Sequence, residues 1–423
     1  DGRGGALFSP AGHCHSISEQ GVVLVARKPK RDLTVEEQLA RGPLDLPFLM
    51  LTMLLLGVGL IMMFSASFAT AYYNDGDPLV YIKNQAVYAA AGVVVMFLVS
   101  KINYQTFRLL SVPGIVAAIL LLVLALSPLG VELNEVKRWV RIGPIQFQPS
   151  EVAKVAVILF FATRLSKRDT EKKKKWSRRT LTGRTLERLD RIGFLELVPY
   201  GAILMVIALL MLMEPHMSGT ILVLAGGASV LFAAGISLGW FAAGGTLVAG
   251  AMWFIITQTP YMTARINLWL DPWAQRQGDG FQTVQSLLAI GSGGLLGLGL
   301  GKSRQKFLYV PEPENDFVFP IVAEELGFIG AVVVLLLFSL LIMRGYWLAL
   351  HARDKFGALT IVGIITLLAV QVFLNVGVVT NLIPNTGISL PFFSYGGTAL
   401  MIQLAEMGIV LSISRQIPAP KND

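Results

Sequence analysis

Long apolar runs separated by short polar breaks occupy the chain from about residue 48 to residue 414. A helix needs about 20 apolar residues to cross a hydrocarbon core. By that measure ten stretches predict membrane helices: 48–68, 83–100, 109–127, 150–163, 195–213, 218–235, 239–257, 319–343, 357–380 and 397–414. The fourth is short and carries charges, so it is the weakest on hydropathy alone. The expected fold is an all-α polytopic membrane domain over 48–414, with tails at 1–47 and 415–423. Residues 1–26 read as a disordered or non-native segment and are set aside from the fold.

Composition points to the same solvent. Hydrophobic residues make up 54% of the chain and charged residues 15%, against about 25% charged in soluble domains. The net charge of +8 does not signal nucleic acid, because the basic residues cluster between apolar runs. Ten spans put both termini on one side. That side holds 25 Lys and Arg, the other holds 9, and Lys154 lies inside a span. The positive-inside rule then places both termini in the cytoplasm. The cytoplasmic loop 164–194 contributes 12 of the 25, including Lys172, Lys173, Lys174 and Lys175. Its basic run reads as a topogenic signal before it reads as a site for anionic lipid head groups. Cys14 is the sole cysteine, so no disulfide forms within the chain, and with His13 and His15 it makes a poor metal-ligand set.

Three segments on the opposite side are too polar and too patterned for simple connectors: 128–149, 258–318 and 384–398. The second is about sixty residues long, a length that usually carries function or structure of its own. Within it, 282–297 predicts a short interfacial or re-entrant helix. It ends in Lys302, Arg304 and Lys306, then Glu312, then Asp316 where the chain meets the bilayer. A partly desolvated carboxylate there is a good proton acceptor. The cations suit phosphate. An ordinary charged helix cap explains Asp316 equally well. Glu324 and Glu325 fall inside the following span, where ionisable groups are costly and at least one must face the protein interior. Just past the first segment, Glu151 and Lys154 stand i,i+3 and can pair on one helix face. Arg138 and Arg141 suit a phosphate or sugar, and Trp139 an interfacial anchor. In the third, Ser394 and Tyr395 offer hydrogen bonds to a sugar or head group from a helix-breaking loop.

Four ordered blocks resemble the SEDS family (shape, elongation, division and sporulation), the group containing RodA, FtsW and SpoVE. They are Arg138-Trp-Val with Gln148-Pro-Ser-Glu151-Val-Ala-Lys154; Asp271-Pro-Trp with Gly280-Phe-Gln-Thr-Val-Gln-Ser286; Ile290-Gly-Ser-Gly-Gly294 through Asp316-Phe and Glu324-Glu-Leu-Gly327; and Thr386-Gly-Ile-Ser-Leu-Pro-Phe-Phe-Ser-Tyr-Gly-Gly397. The resemblance spans about 45–416, and Ser303-Arg-Gln-Lys306 looks more like the FtsW and SpoVE branch than RodA. It implies a fold of ten membrane helices and a glycosyltransferase that polymerises lipid II in the bacterial plasma membrane. The chemistry would lie on the extracytoplasmic face, in loop 258–318 between the seventh and eighth spans.

The family's essential acid falls on Asp316, the expected base. Arg138, Arg141, Arg265, Lys302, Arg304 and Lys306 would face the departing pyrophosphate. Gln282, Gln285, Ser286, Ser394 and Tyr395 join them as substrate contacts, and Trp139, Glu151, Lys154, Glu312, Glu324 and Glu325 as supports. A divalent cation, Mg or Mn, is compatible with the chemistry, although no dedicated metal cage is visible. The implied partners are lipid II, a class B penicillin-binding protein, division or sporulation cell-wall proteins and membrane lipids. His216 departs from the pattern, since many members carry an acid there, and some members have a Lys near Thr386, which takes no cation role here. A lipid II flippase, or a scaffold without chemistry, would share much of this sequence.

Overall fold

A computed structural model describes residues 42–168 and 194–417, apart from 134, 135, 144, 215, 259, 279 and 308. The Cys14 cluster, most of the basic loop 164–194 and the outer parts of both tails lie outside the described residues. Helices α1 (Leu46–Asp75), α2 (Val80–Lys101) and α3 (Gln105–Leu126) come first. Asp45 caps α1 by accepting from Phe48 N at 2.9 Å, and Gly76 ends it in the left-handed region. A small sheet follows, then α4 (Pro149–Ser166), α5 (Phe194–Met213), α6 (Met217–Ala233) and α7 (Leu238–Gln258). The outer loop holds α8 (Pro260–Leu270), a short turn of helix at Pro272–Gln275, and α9 (Phe281–Ser292). The chain closes with α10 (Val318–His351), α11 (Lys355–Val379) and α12 (Gly397–Ser414).

Seven of these helices, α1, α2, α3, α5, α10, α11 and α12, are long and apolar enough to cross a membrane. The helices α4 and α6 coincide with two more expected stretches but fall short of that apolarity or length, and α7 coincides with another. Charge explains α4, which carries Glu151, Lys154 and Arg164. Close packing at the centre depends on small residues, as membrane helices require without a hydrophobic drive between them. Gly92 of α2 sits against Leu404 of α12, and Gly408 of α12 sits against the Met96 backbone of α2. α11 is largely enclosed, with α4, α6 and α10 around it.

The fold is not wholly helical. Strands β1 (Gly130–Leu133), β2 (Val136–Ile142) and β3 (Ile145–Phe147) form an antiparallel sheet in the order β1-β2-β3. Its cause is local. Residues 136–142 read Val-Lys-Arg-Trp-Val-Arg-Ile, rich in β-branched and aromatic types, and Gly143 turns the chain at φ 62°. Alternation sends Arg138 to the face of buried Val140 and Arg141 to the other.

The segment expected to be re-entrant does form a helix, α9, and its glycine-rich end locks into a break in α10. Leu298 N and Gly299 N donate to Glu324 O and Glu325 O, both at 3.0 Å. Phe328 N donates back to Gly294 O at 2.9 Å. Gly327 makes the break at φ 70°, ψ −172°, a conformation open to glycine alone. A Cβ there would overlap the backbone of Gly297 and Leu295. Gly327→Ala is therefore expected to cost at least about 1–3 kcal/mol from backbone strain, read as a lowered unfolding midpoint in detergent.

Candidate active site

Asp316 stands two residues before α10, and two separate segments hold it in place. Asn375, fully buried on α11, donates through Nδ2 to Asp316 O at 2.8 Å and to Ile388 O at 2.6 Å. One side chain thus ties the α10 start to the loop before α12. That loop passes directly over the carboxyl. Gly387, at φ 65°, would place a Cβ 3.1 Å from Asp316 Oδ2. Burial and the nearby charge of Glu312 push the Asp316 carboxyl up to about 6, and Arg138 opposes them. The result is a carboxylate at neutral pH that is more basic than usual.

Arg138 reaches this place from the inner face of β2. Its Nε donates to Glu214 O at 3.0 Å, at the turn between α5 and α6. Glu214 is buried, and burial pushes its carboxyl up to about 8 against the pull of Arg138. His216 is buried beside it, with Gln148 Nε2 3.4 Å from its Nε2. Burial, then Arg138 and Lys154, hold that imidazole down at about 3, so it is neutral at physiological pH. The position where many SEDS members place an acid therefore carries an uncharged ring.

Glu314 is also buried, which raises its carboxyl, and its main-chain oxygen accepts from Tyr395 N at 2.7 Å. Tyr395 packs edge-on against Tyr81 at 5.0 Å. Residues 389–396 also wall a polar cavity that contains Glu151, Lys154, Gln371, Gln403 and Glu406. Glu151 and Lys154 pair there at 2.7 Å with the lysine almost fully enclosed, as their spacing suggested.

Other expected contacts have structural tasks. Lys306 is the main correction. The residue is 2% exposed, and its ammonium bonds Glu325 Oε1 and Ser65 Oγ, both at 3.1 Å, and Gly301 O at 2.7 Å. A cation held this way binds its own loop, not a phosphate. Glu325 also accepts from Ser65 Oγ, Gly301 N and Ser303 N, while Glu324 accepts from Ser303 Oγ, Arg304 N and Gln305 N. Both glutamates face the interior and cage residues 301–306. Ser286 Oγ is buried and donates to Val379 O at 2.7 Å, so it too is a packing contact. Ser394 Oγ accepts from Leu390 N at 2.7 Å and shapes its turn.

Gln282 joins three segments through Pro311 O and Asn385 Nδ2. Gln285 and Trp139 are half-buried. Lys302 and Arg304 are exposed beside the cage. Arg141 is exposed and bonds Gln146 across the hairpin at 3.2 Å, away from Arg138. The Arg265 side chain lies outside the described residues. Glu312 is exposed and accepts from Asn315 Nδ2 at 3.1 Å. Among the described residues no group of three or more His, Cys, Asp or Glu side chains gathers as a metal site. The charge of Arg138 acts on Asp316, and the described residues around this carboxyl do not gather as a Mg or Mn cage.

The sequence reading assigned no role to Glu214 or Glu314. The signal for Glu214 was an acid at the end of an apolar run, two residues from a histidine.

A family model for FtsW, RodA and SpoVE, described as cell cycle proteins, matches residues 46–418. Stage V sporulation protein E of Bacillus subtilis is 42% identical over 373 residues, covering 88% of this chain and 97% of the relative. A probable peptidoglycan glycosyltransferase FtsW of Geobacter metallireducens is 37% identical, covering 88% and 95%. Among solved structures, a chain of a peptidoglycan synthase complex that coordinates polymerization and crosslinking aligns with a TM-score of 0.71 at 27% identity, covering 90% of this chain and 99% of that one. The rod shape determining protein RodA of Thermus thermophilus aligns with a TM-score of 0.61 at 28% identity, covering 89% and 98%.

Proposed function

Since the chain belongs to the family of FtsW, RodA and SpoVE, we infer that it is a peptidoglycan glycosyltransferase that polymerises lipid II into glycan strands. The observation that carries this reading is the Asp316 carboxyl, raised to about 6, set under the Gly387 loop and within the field of Arg138. Asp316 takes the proton from a sugar hydroxyl of the acceptor. The freed oxygen bonds to the anomeric carbon of the lipid-linked donor. The bond from that carbon to the pyrophosphate oxygen breaks, and polyprenyl pyrophosphate departs with the electron pair. Arg138 meets the charge that develops on the leaving group. Lys302 and Arg304, exposed on the same loop as Asp316, add positive potential.

The charge bias of 25 against 9 supports ten spans in the plasma membrane, both termini in the cytoplasm and this site on the outer face. The relatives' names support division or sporulation as the setting. A class B penicillin-binding protein is the partner that would crosslink the strands. The test is incubation of the purified, reconstituted chain with labelled lipid II, alone and with that partner, followed by glycan-length analysis. Strands of many disaccharides are expected. Transfer of lipid II across the vesicle bilayer with no polymer under either condition would make the chain a flippase instead.

A further inference from the structure

Glu214 is a buried acid that this mechanism leaves without a task, and the one whose two carboxyl oxygens both lack a hydrogen-bond partner among the described residues. It sits between α5 and α6 and is 1% exposed. An orphaned buried carboxyl is rare in a settled fold and calls for a reason. Its surroundings supply one. Arg138 is bonded to the Glu214 main chain at 3.0 Å, and its charge acts on both the Glu214 and the Asp316 carboxyl. Strand β2, the α5–α6 turn and the start of α10 therefore bring two carboxyls to one guanidinium. We propose that Glu214 is a second carboxyl of the substrate site, hydrogen-bonding a phosphate oxygen of the lipid-linked donor beside Arg138.

The protonation state fits an anion. With its carboxyl pushed up to about 8, Glu214 carries a proton at neutral pH. It then offers an O–H donor and no charge, whereas an ionised carboxylate would repel phosphate. Asp316, ionised at the same pH, keeps the opposite role of base. The two acids in one site thus divide the work by environment. This inference rests on the reading of Asp316 as the base.

The test uses the full chain in vesicles and two substitutions, Glu214→Leu and Glu214→Gln, with Asp316→Asn measured beside them. Affinity for a polyprenyl pyrophosphate and kcat/KM for lipid II are both read. Glu214→Leu should weaken pyrophosphate binding and lower kcat/KM by about tenfold. Glu214→Gln should recover both to within about threefold, because the carboxamide presents a donor and an acceptor in the same shape. Three results would overturn the proposal. They are a Gln variant as impaired as Leu, a Leu variant with undiminished pyrophosphate binding, or losses in both that track a lowered unfolding midpoint. Because the binding readout does not need turnover, it judges Glu214 even if Asp316→Asn remains active and the base assignment itself fails.

Discussion

Asp316→Asn is expected to lower the initial rate of lipid II polymerisation by about 10²- to 10⁴-fold while the protein stays folded. The substitution keeps the size of the side chain and removes its capacity to accept a proton. It leaves the Asn375 bond intact, because that bond ends on the Asp316 main-chain oxygen. Stability should not fall. The carboxyl sits at about 6 in the folded chain against an ordinary 3.8. The folded state therefore holds an extra proton between those values. That contribution is fully present below 3.8 and is lost as pH rises through 6. At neutral pH the ionised group destabilises the fold by up to about 3 kcal/mol before solvent screening lowers the figure. Asparagine removes that burden, so the unfolding midpoint in detergent should be equal to or above that of the wild type. A large drop in the midpoint would assign Asp316 to structure.

Lys306→Met is expected to destabilise the fold by about 3–5 kcal/mol. Lys306 and Glu325 are 2% and 1% exposed, and their ion pair stands at 3.1 Å among Ser65, Gly301 and Ser303. Removing the ammonium strands a buried carboxylate. The loop it holds, 301–306, leads directly to Asp316, so turnover should fall along with stability. Adding Glu325→Gln should restore part of the loss, since the charge left alone disappears. Unfolding midpoints of the two single variants and the double variant measure the coupling. Simple additivity would remove the cage from this account.

Much of this was readable in the chain, for physical reasons that also mark where reading failed. The helices start near the expected limits because apolar length is a local signal, while α1 and α10 run on to Asp75 and His351, past the expected 68 and 343. The Glu151–Lys154 pair followed from helical spacing alone. The sheet was also legible, since residues 136–142 combine strand-forming types with a glycine turn, yet a fold expected to be all-α hid it. Period-two alternation would then have separated Arg138 from Arg141. Lys306 was not legible. Three cations in a row suggest a phosphate site, and only packing shows that the third is buried by α1 and α10. Gly327 carried a weak signal, a glycine inside an apolar run, but the segment that fills the break comes from some thirty residues earlier. Glu214 required the third dimension, because Arg138, whose charge also acts on Asp316, lies far from it in sequence.

The central claim is that Asp316 works as a base in its ionised form, and the pH dependence of the wild-type initial polymerisation rate tests it most directly. The carboxyl at about 6 predicts a rate that rises with pH, reaches half its plateau near pH 6 and stays level above 7. Purified chain in vesicles, saturated with labelled lipid II and held at constant ionic strength, gives the curve. A rate that is level from pH 5 to pH 7, with the protein folded throughout, would contradict the assignment of Asp316 as the base.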